Sequence, residues 1–204
     1  DKYNAAGFRN AKMLSDSVYR TGAKTVGLQI DLSEGNKFYF RDIFFRGNVK
    51  YSTEELEKRL GIEKGDIYNQ DALRERVMFN MAGTDVTSLY QDDGYLQFQA
   101  IPMEILVEND SIDTEVRIDE GKQFRIGAVN VIGNSKTNDH VIYREIRTRP
   151  GDLFNRTEIL RTQRELAQLG YFNPEAFDVK PTPNPEDGTV DLEYVLEEKP
   201  SDQI

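Results

Sequence analysis

Apolar residues recur at a spacing of two at Phe38 and Phe40, then change phase and resume at Ile43 and Phe45. Phe124 and Ile126, followed by Val129 and Val131, repeat the pattern later in the chain. Such alternation predicts strands with one inward face, and the change of phase predicts a β-bulge in each. A stricter alternation occurs three times: Val26, Leu28, Ile30 and Leu32; Ile112, Val116 and Ile118; Val190, Leu192, Tyr194 and Leu196. Each of these strands follows a turn-forming segment, RTGAK, ENDS or PEDG.

Between the strands the period lengthens to that of a helix. Ser52 with Glu55 three residues on reads as a capping box, Leu56 and Leu60 lie one turn apart, and Gly61 stops the helix. The corresponding later helix takes Asn138 as its cap and Val141, Ile142 and Ile146 as its apolar side. Asn69 and Asn155 stand where a second helix needs a cap. Leu73 and Val77 supply the apolar stripe in one case, and Ile159, Leu160, Leu166 and Leu169 in the other.

These parallels make a repeat. A shift of 86 residues (133 − 47) carries Gly47-Asn48 onto Gly133-Asn134, Glu34-Gly35 onto Glu120-Gly121, and Gly65-Asp66 onto Gly151-Asp152. By Gly94-Tyr95 and Gly170-Tyr171 the shift has fallen to 76 (170 − 94), so the earlier copy carries an insertion of about ten residues near Gly83–Thr87. Gly7-Phe8 starts a partial third copy. The expected unit is strand–helix–helix–strand–strand. The expected divisions are 1–36 for the last part of one domain, 37–121 and 122–200 for complete domains, and 201–204 for the start of a link.

Gly-Asn after the first strand, Gly-Asp before the second helix and Gly-Tyr before the second strand, in fixed order and repeated, resemble the POTRA (polypeptide-transport-associated) domain. The tail EEKPSDQI looks like the hand-over from a last POTRA domain to the first barrel strand of BamA-type barrel-assembly proteins. The resemblance implies an α+β fold of tandem domains, each a three-stranded sheet packed on two helices. It implies a periplasmic scaffold at the outer membrane, with unfolded outer-membrane proteins and accessory lipoproteins as partners and a C-terminal barrel beyond this segment. A POTRA array of a secretion or translocation porin is the alternative.

Composition sharpens the picture by what it disfavours. With 26 Lys and Arg against 36 Asp and Glu, the net charge is −10, a poor match to nucleic acid. No apolar run is long enough for a membrane-spanning helix. Without Cys there are neither disulfides nor thiolate metal ligands. A chain that begins with Asp1 and carries no leader pattern reads as an excised segment.

His140, the single histidine, is expected at the surface or at a helix start. Glu108, Asp110 and Asp113 lack the glycine of a calcium loop and sit in a hairpin turn. No nucleotide-binding glycine motif and no nucleophile elbow occurs, so neither a cofactor, a metal nor an enzymatic activity is expected.

Backbone is the remaining candidate chemistry. A three-stranded sheet exposes a strand edge, and the second strand of each copy, expected at Leu96–Val107 and Tyr171–Thr182, carries an edge-compatible proline at Pro102 or Pro181. Proline equally serves to blunt an edge; the resemblance implies instead capture of an extended client by β-augmentation. The candidate peptide-binding residues are Leu96, Gln97, Phe98, Gln99, Ala100, Tyr171, Phe172, Phe177 and Val179. The four-residue joints Glu34–Lys37 and Glu120–Gln123 are expected to act as limited hinges.

Overall fold

The computed structural model describes residues 2–200; the expected link at 201–204 lies outside them. In chain order the elements are α1 (Lys2–Ala5), β1 (Lys12–Arg20), β2 (Val26–Ser33), β3 (Tyr39–Arg46), α2 (Thr53–Leu60), α3 (Gln70–Met78) and α4 (Val86–Gln91). There follow β4 (Gln99–Glu108), β5 (Ser111–Asp119), β6 (Arg125–Ile132), α5 (Asp139–Tyr143), α6 (Arg156–Gln168), a 3₁₀ turn at Pro174–Ala176, β7 (Asp178–Asn184) and β8 (Thr189–Val195). Strands β1 and β2 form a hairpin, and the two larger sheets have the orders β3-β5-β4 and β6-β8-β7. The central strand is parallel to the first strand of each repeat, β3 with β5 and β6 with β8. This is the tandem α+β architecture expected of POTRA repeats.

Both expected bulges are present, between Phe40 and Ile43 and between Ile126 and Val129. The same acidic position of the central strand serves each of them. The Asp191 carboxylate accepts the Ala128 amide at 2.7 Å. Asp113 accepts a backbone bond from Asp42 and is held below the usual carboxylate range chiefly by Arg41. A bulge leaves an amide out of the ladder, and these carboxylates satisfy it.

Capping chemistry fixes most helix starts. Ser52 accepts the Glu55 amide while Glu55 accepts the Ser52 amide, and Gly61 closes α2 in the left-handed region. Asn69 and Asn155 accept the amides of Ala72 and Glu158. Asn138 departs from expectation: it occupies the cap position of α5 but makes no side-chain cap bond, while Asn134, four residues earlier, donates to the Asp139 carboxylate at 2.6 Å. The helix lasts only to Tyr143, although Ile142 and Ile146 are both buried.

The insertion divides a helix. Gln70 and Arg156, which begin α3 and α6, are 86 residues apart, whereas Gln91 and Ala167 near the far ends are 76 apart. One 13-residue helix in the later repeat therefore corresponds to α3 and α4 in the earlier one. Between them Phe79 is extended and Gly83 is left-handed.

The chain divides into two compact units: Asp1–Asn80 with Ala100–Ile118, and Met81–Gln99 with Asp119–Ile204. In the first, Phe40, Leu56, Leu60, Leu73, Val77, Ile112 and Val116 are buried. The hairpin is different. Among the described residues, Val26, Leu28, Ile30 and Leu32, expected to face inward, are 68%, 61%, 45% and 38% exposed. In the second unit Phe124, Ile126, Ile142, Phe154, Leu166, Phe172, Leu192 and Tyr194 form one continuous core.

Candidate peptide-binding edges

Each three-stranded sheet places its second strand at an edge, β4 in one and β7 in the other. The edges start later than expected, at Gln99 and Asp178. Leu96, Gln97 and Phe98 precede β4, and Tyr171, Phe172 and Phe177 precede β7. Phe98 and Ala100 are 5% exposed and Phe172 is fully buried, so their side chains belong to cores. Tyr90 stacks on Phe98 at 4.0 Å, which draws Phe98 inward. Leu96, Phe177 and Val179 lie half-buried against the second unit's core. Gln97, Gln99 and Tyr171 remain exposed, and of the nine candidates only Gln99, Ala100 and Val179 stand on an edge strand.

The edges differ in chemistry. β4 exposes Ile101, Ile105, Leu106 and Val107, residues the sequence reading had not singled out. Their signal was legible as an apolar run with no strict alternation, typical of a strand with both faces offered to something apolar. β7 exposes Asp178, Lys180, Pro181, Thr182 and Asn184 and has a second proline at Pro183. Two prolines remove two amide donors from seven residues, so β7 is the poorer template for an added strand.

Charged groups brace β4 at its middle and at its last residue. Arg41 bonds Asp113 at 2.6 and 2.7 Å and Glu108 at 2.7 Å, so these carboxylates anchor the hairpin. Glu104 accepts bonds from Arg9 and from the Tyr68 hydroxyl, the latter at 2.7 Å. Burial opposes its ionisation, yet those two donors outweigh burial and hold it below the usual range.

A second recurring geometry joins consecutive repeats. The Gly7 carbonyl accepts the Phe38 amide at 2.9 Å, and the Gly94 carbonyl accepts the Phe124 amide at 2.8 Å. Two residues before each glycine, the carbonyls of Ala5 and Asp92 accept the side-chain amides of Asn69 and Asn155. The cap asparagines thus fasten the preceding repeat as well as starting a helix. The joints expected to hinge are pinned by specific bonds. Sequence could not show this, because the acceptors are backbone carbonyls.

At the end of the last repeat the Glu198 carboxylate accepts the Ser135 hydroxyl at 2.9 Å and the amides of Lys136 and Thr137. Burial works against the charge, but these donors pull its pKa down to about 2.

The POTRA family model, described as a surface antigen variable number repeat, matches residues 38–121 and 124–199. The outer membrane protein assembly factor BamA of Neisseria meningitidis serogroup B is 27% identical over 202 residues, covering 94% of this chain and 25% of the relative. A putative outer membrane protein assembly factor of Treponema pallidum is 26% identical over 189 residues, covering 87% of this chain and 22% of the relative. The chain therefore spans about a quarter of the length of these relatives. Among solved structures, Haemophilus influenzae BamA POTRA3-5 superposes with a TM-score of 0.72 at 21% identity, covering 97% of this chain and 76% of the other. BamA from Haemophilus ducreyi lacking POTRA domains 1-3 gives 0.65 at 17% identity, covering 79% and 30%. With two successive matches over most of its length and the matching fold, the chain belongs to the POTRA family.

Proposed function

We propose that this chain is a periplasmic scaffold segment of an outer-membrane β-barrel assembly protein. In this reading the β4 edge takes up extended segments of unfolded outer-membrane proteins as an added strand. The observation that carries it is an edge strand with four exposed aliphatic side chains in a POTRA repeat similar to assembly factors. Barrel strands alternate apolar and polar residues, so such a client offers one apolar row to Ile101, Ile105 and Val107 while its backbone completes the ladder. Accessory lipoproteins of the assembly complex are the further partners.

Each new main-chain hydrogen bond contributes about 0.5–1.5 kcal/mol net, against the cost of ordering a flexible client. Binding is therefore weak and tolerant of client sequence, which suits a scaffold that serves many barrels. The test is titration of an isotope-labelled chain with a barrel-strand peptide while backbone amide shifts are followed. Shifts should concentrate in Gln99–Glu108 and be smaller in Asp178–Asn184. Ile105→Lys with Val107→Lys should weaken binding at least tenfold by charging the edge. Shifts confined to other elements, or a double variant that binds as well as the parent, would rule the reading out.

A further inference from the structure

We infer that the surface around Gly170 is a docking socket for an extended, apolar-led strand supplied by a partner polypeptide. The same socket is filled twice within this chain. Gly7 and Gly94 have φ of 91°, and both are buried under the start of the next repeat. In each, the glycine carbonyl receives a phenylalanine amide, Phe38 or Phe124, and the carbonyl two residues earlier receives an asparagine side chain, Asn69 or Asn155. An aliphatic side chain, Ile67 or Leu153, lies over the glycine where a Cβ would project.

Gly170 holds the equivalent place after α6, with φ of 76°, and is exposed. Nothing lies within 4 Å of the position its Cβ would take. Among the described residues, the carbonyls of Gln168 and Gly170 accept no hydrogen bond.

The chain's own route favours an occupant from elsewhere. Into the first two sockets the chain turns through Gly35 and Gly121, both left-handed, at φ of 71° and 65°. At the third end Lys199 follows the repeated glutamate instead of glycine. The strand runs straight on: Phe172 bridges Glu198, the Lys199 amide bonds the Tyr171 carbonyl at 2.9 Å, and the Glu198 carboxylate is locked to Ser135–Thr137. Pro200 follows beside Gly170 in a shallow cleft that also includes Tyr171. As far as Pro200 the chain thus passes the socket rather than entering it. A second copy of this chain is a poor occupant, because its Phe38 and Phe124 amides are already engaged.

The partner strand is defined by what fills the other sockets. It has a free amide on a leading aromatic residue and an apolar residue two positions on, as in Phe38 and Phe40 or Phe124 and Ile126; in the filled sockets the side-chain amide on the earlier carbonyl comes from the helix caps Asn69 and Asn155, outside the strand. This surface is separate in sequence from the β4 edge, so either assignment can fail alone.

The probe is a peptide of residues 120–129, EGKQFRIGAV, titrated into the isotope-labelled chain. Amide shifts should centre on Gln168–Phe172, and N-methylation of the peptide's phenylalanine should weaken binding about two- to tenfold, the effect of one lost main-chain bond. Gly170→Leu should abolish the shifts, because its side chain would fill the space over the glycine that the incoming repeat occupies at Gly7 and Gly94; if that variant melts abnormally, the N-methyl peptide decides. Shifts centred on Gln99–Glu108, no shifts at millimolar peptide, or equal binding of the N-methylated peptide would overturn the inference.

Discussion

Gly47 and Gly133 sit at φ of 93° and 91°, where an added Cβ would overlap the carbonyl oxygens of Ile118 and Leu196. The Gly-Asn signature is thus a packing requirement between the first and last strands of a repeat. Gly133→Ala should cost at least about 3 kcal/mol in denaturant unfolding, since strain at positive φ adds to a backbone clash. Thr114 shows the opposite case. Among the described residues its buried hydroxyl has no hydrogen-bond partner, while Leu192 holds the same place in β8. Thr114→Val should raise stability by about 1 kcal/mol by removing an unsatisfied group of equal shape, and a loss in urea melts would contradict that account. Glu198 gives a pH signature. Its folded pKa of about 2 lies below its ordinary 4.5, so its contribution is complete above the ordinary value and is lost as pH falls through about 2. The Lys136 and Thr137 amide resonances should titrate with that midpoint, and Glu198→Gln should remove the titration.

The insertion shows how ten residues are absorbed at the scale of elements. A break inside a helix exposes new ends, and α4 solves this with Asp85, which is fully buried and accepts both the Ser88 amide and hydroxyl at 2.7 Å. Arg156 at the start of α6 donates to the Ser88 hydroxyl at 2.6 Å and lies 3.8 Å from Asp85. Asp85→Ala should destabilise the second unit by about 2–4 kcal/mol, combining a lost cap with an arginine left beside an uncharged pocket. Arg156→Ala should lose less, because Asp85 keeps its bonds to Ser88. Thermal melts of the two variants and of the double variant test this order. Equal costs would mean that the Asp85–Ser88 cap contributes nothing beyond the charge pairing, and would contradict this account.

For the whole molecule, the repeated joints govern how independent the repeats are. The core of the last repeat is drawn from residues between Phe124 and Leu196, so residues 122–200 alone should melt cooperatively. They should melt at a lower temperature than the same repeat within the intact chain, because Asn155 loses the Asp92 carbonyl and Thr157 loses the Asp92 carboxylate, held at 2.8 and 2.7 Å. Equal melting temperatures would show the joint contributes nothing to stability. In the intact chain the Phe38 and Phe124 amides should exchange slowly with solvent, at rates similar to the sheet interiors. Fast exchange at both would return the joints to the limited hinging that their short polar linkers suggest.

The repeat, the element types and their order, the bulges, the capping box and the inward rows of β5 and β8 were all determined by local sequence. They depend on period, on cap chemistry and on glycine, which act over a few residues. What tertiary structure alone decided was where surfaces end. Phe98 and Phe172 look like strand residues in sequence and are core in the fold. The apolar β4 edge, the buried Asp85–Arg156 pairing and the glycine sockets depend on contacts between residues some 30 to 70 positions apart, or on backbone carbonyls that every residue carries. A linear pattern records neither, because burial and hydrogen-bond partnership belong to pairs of positions brought together by folding.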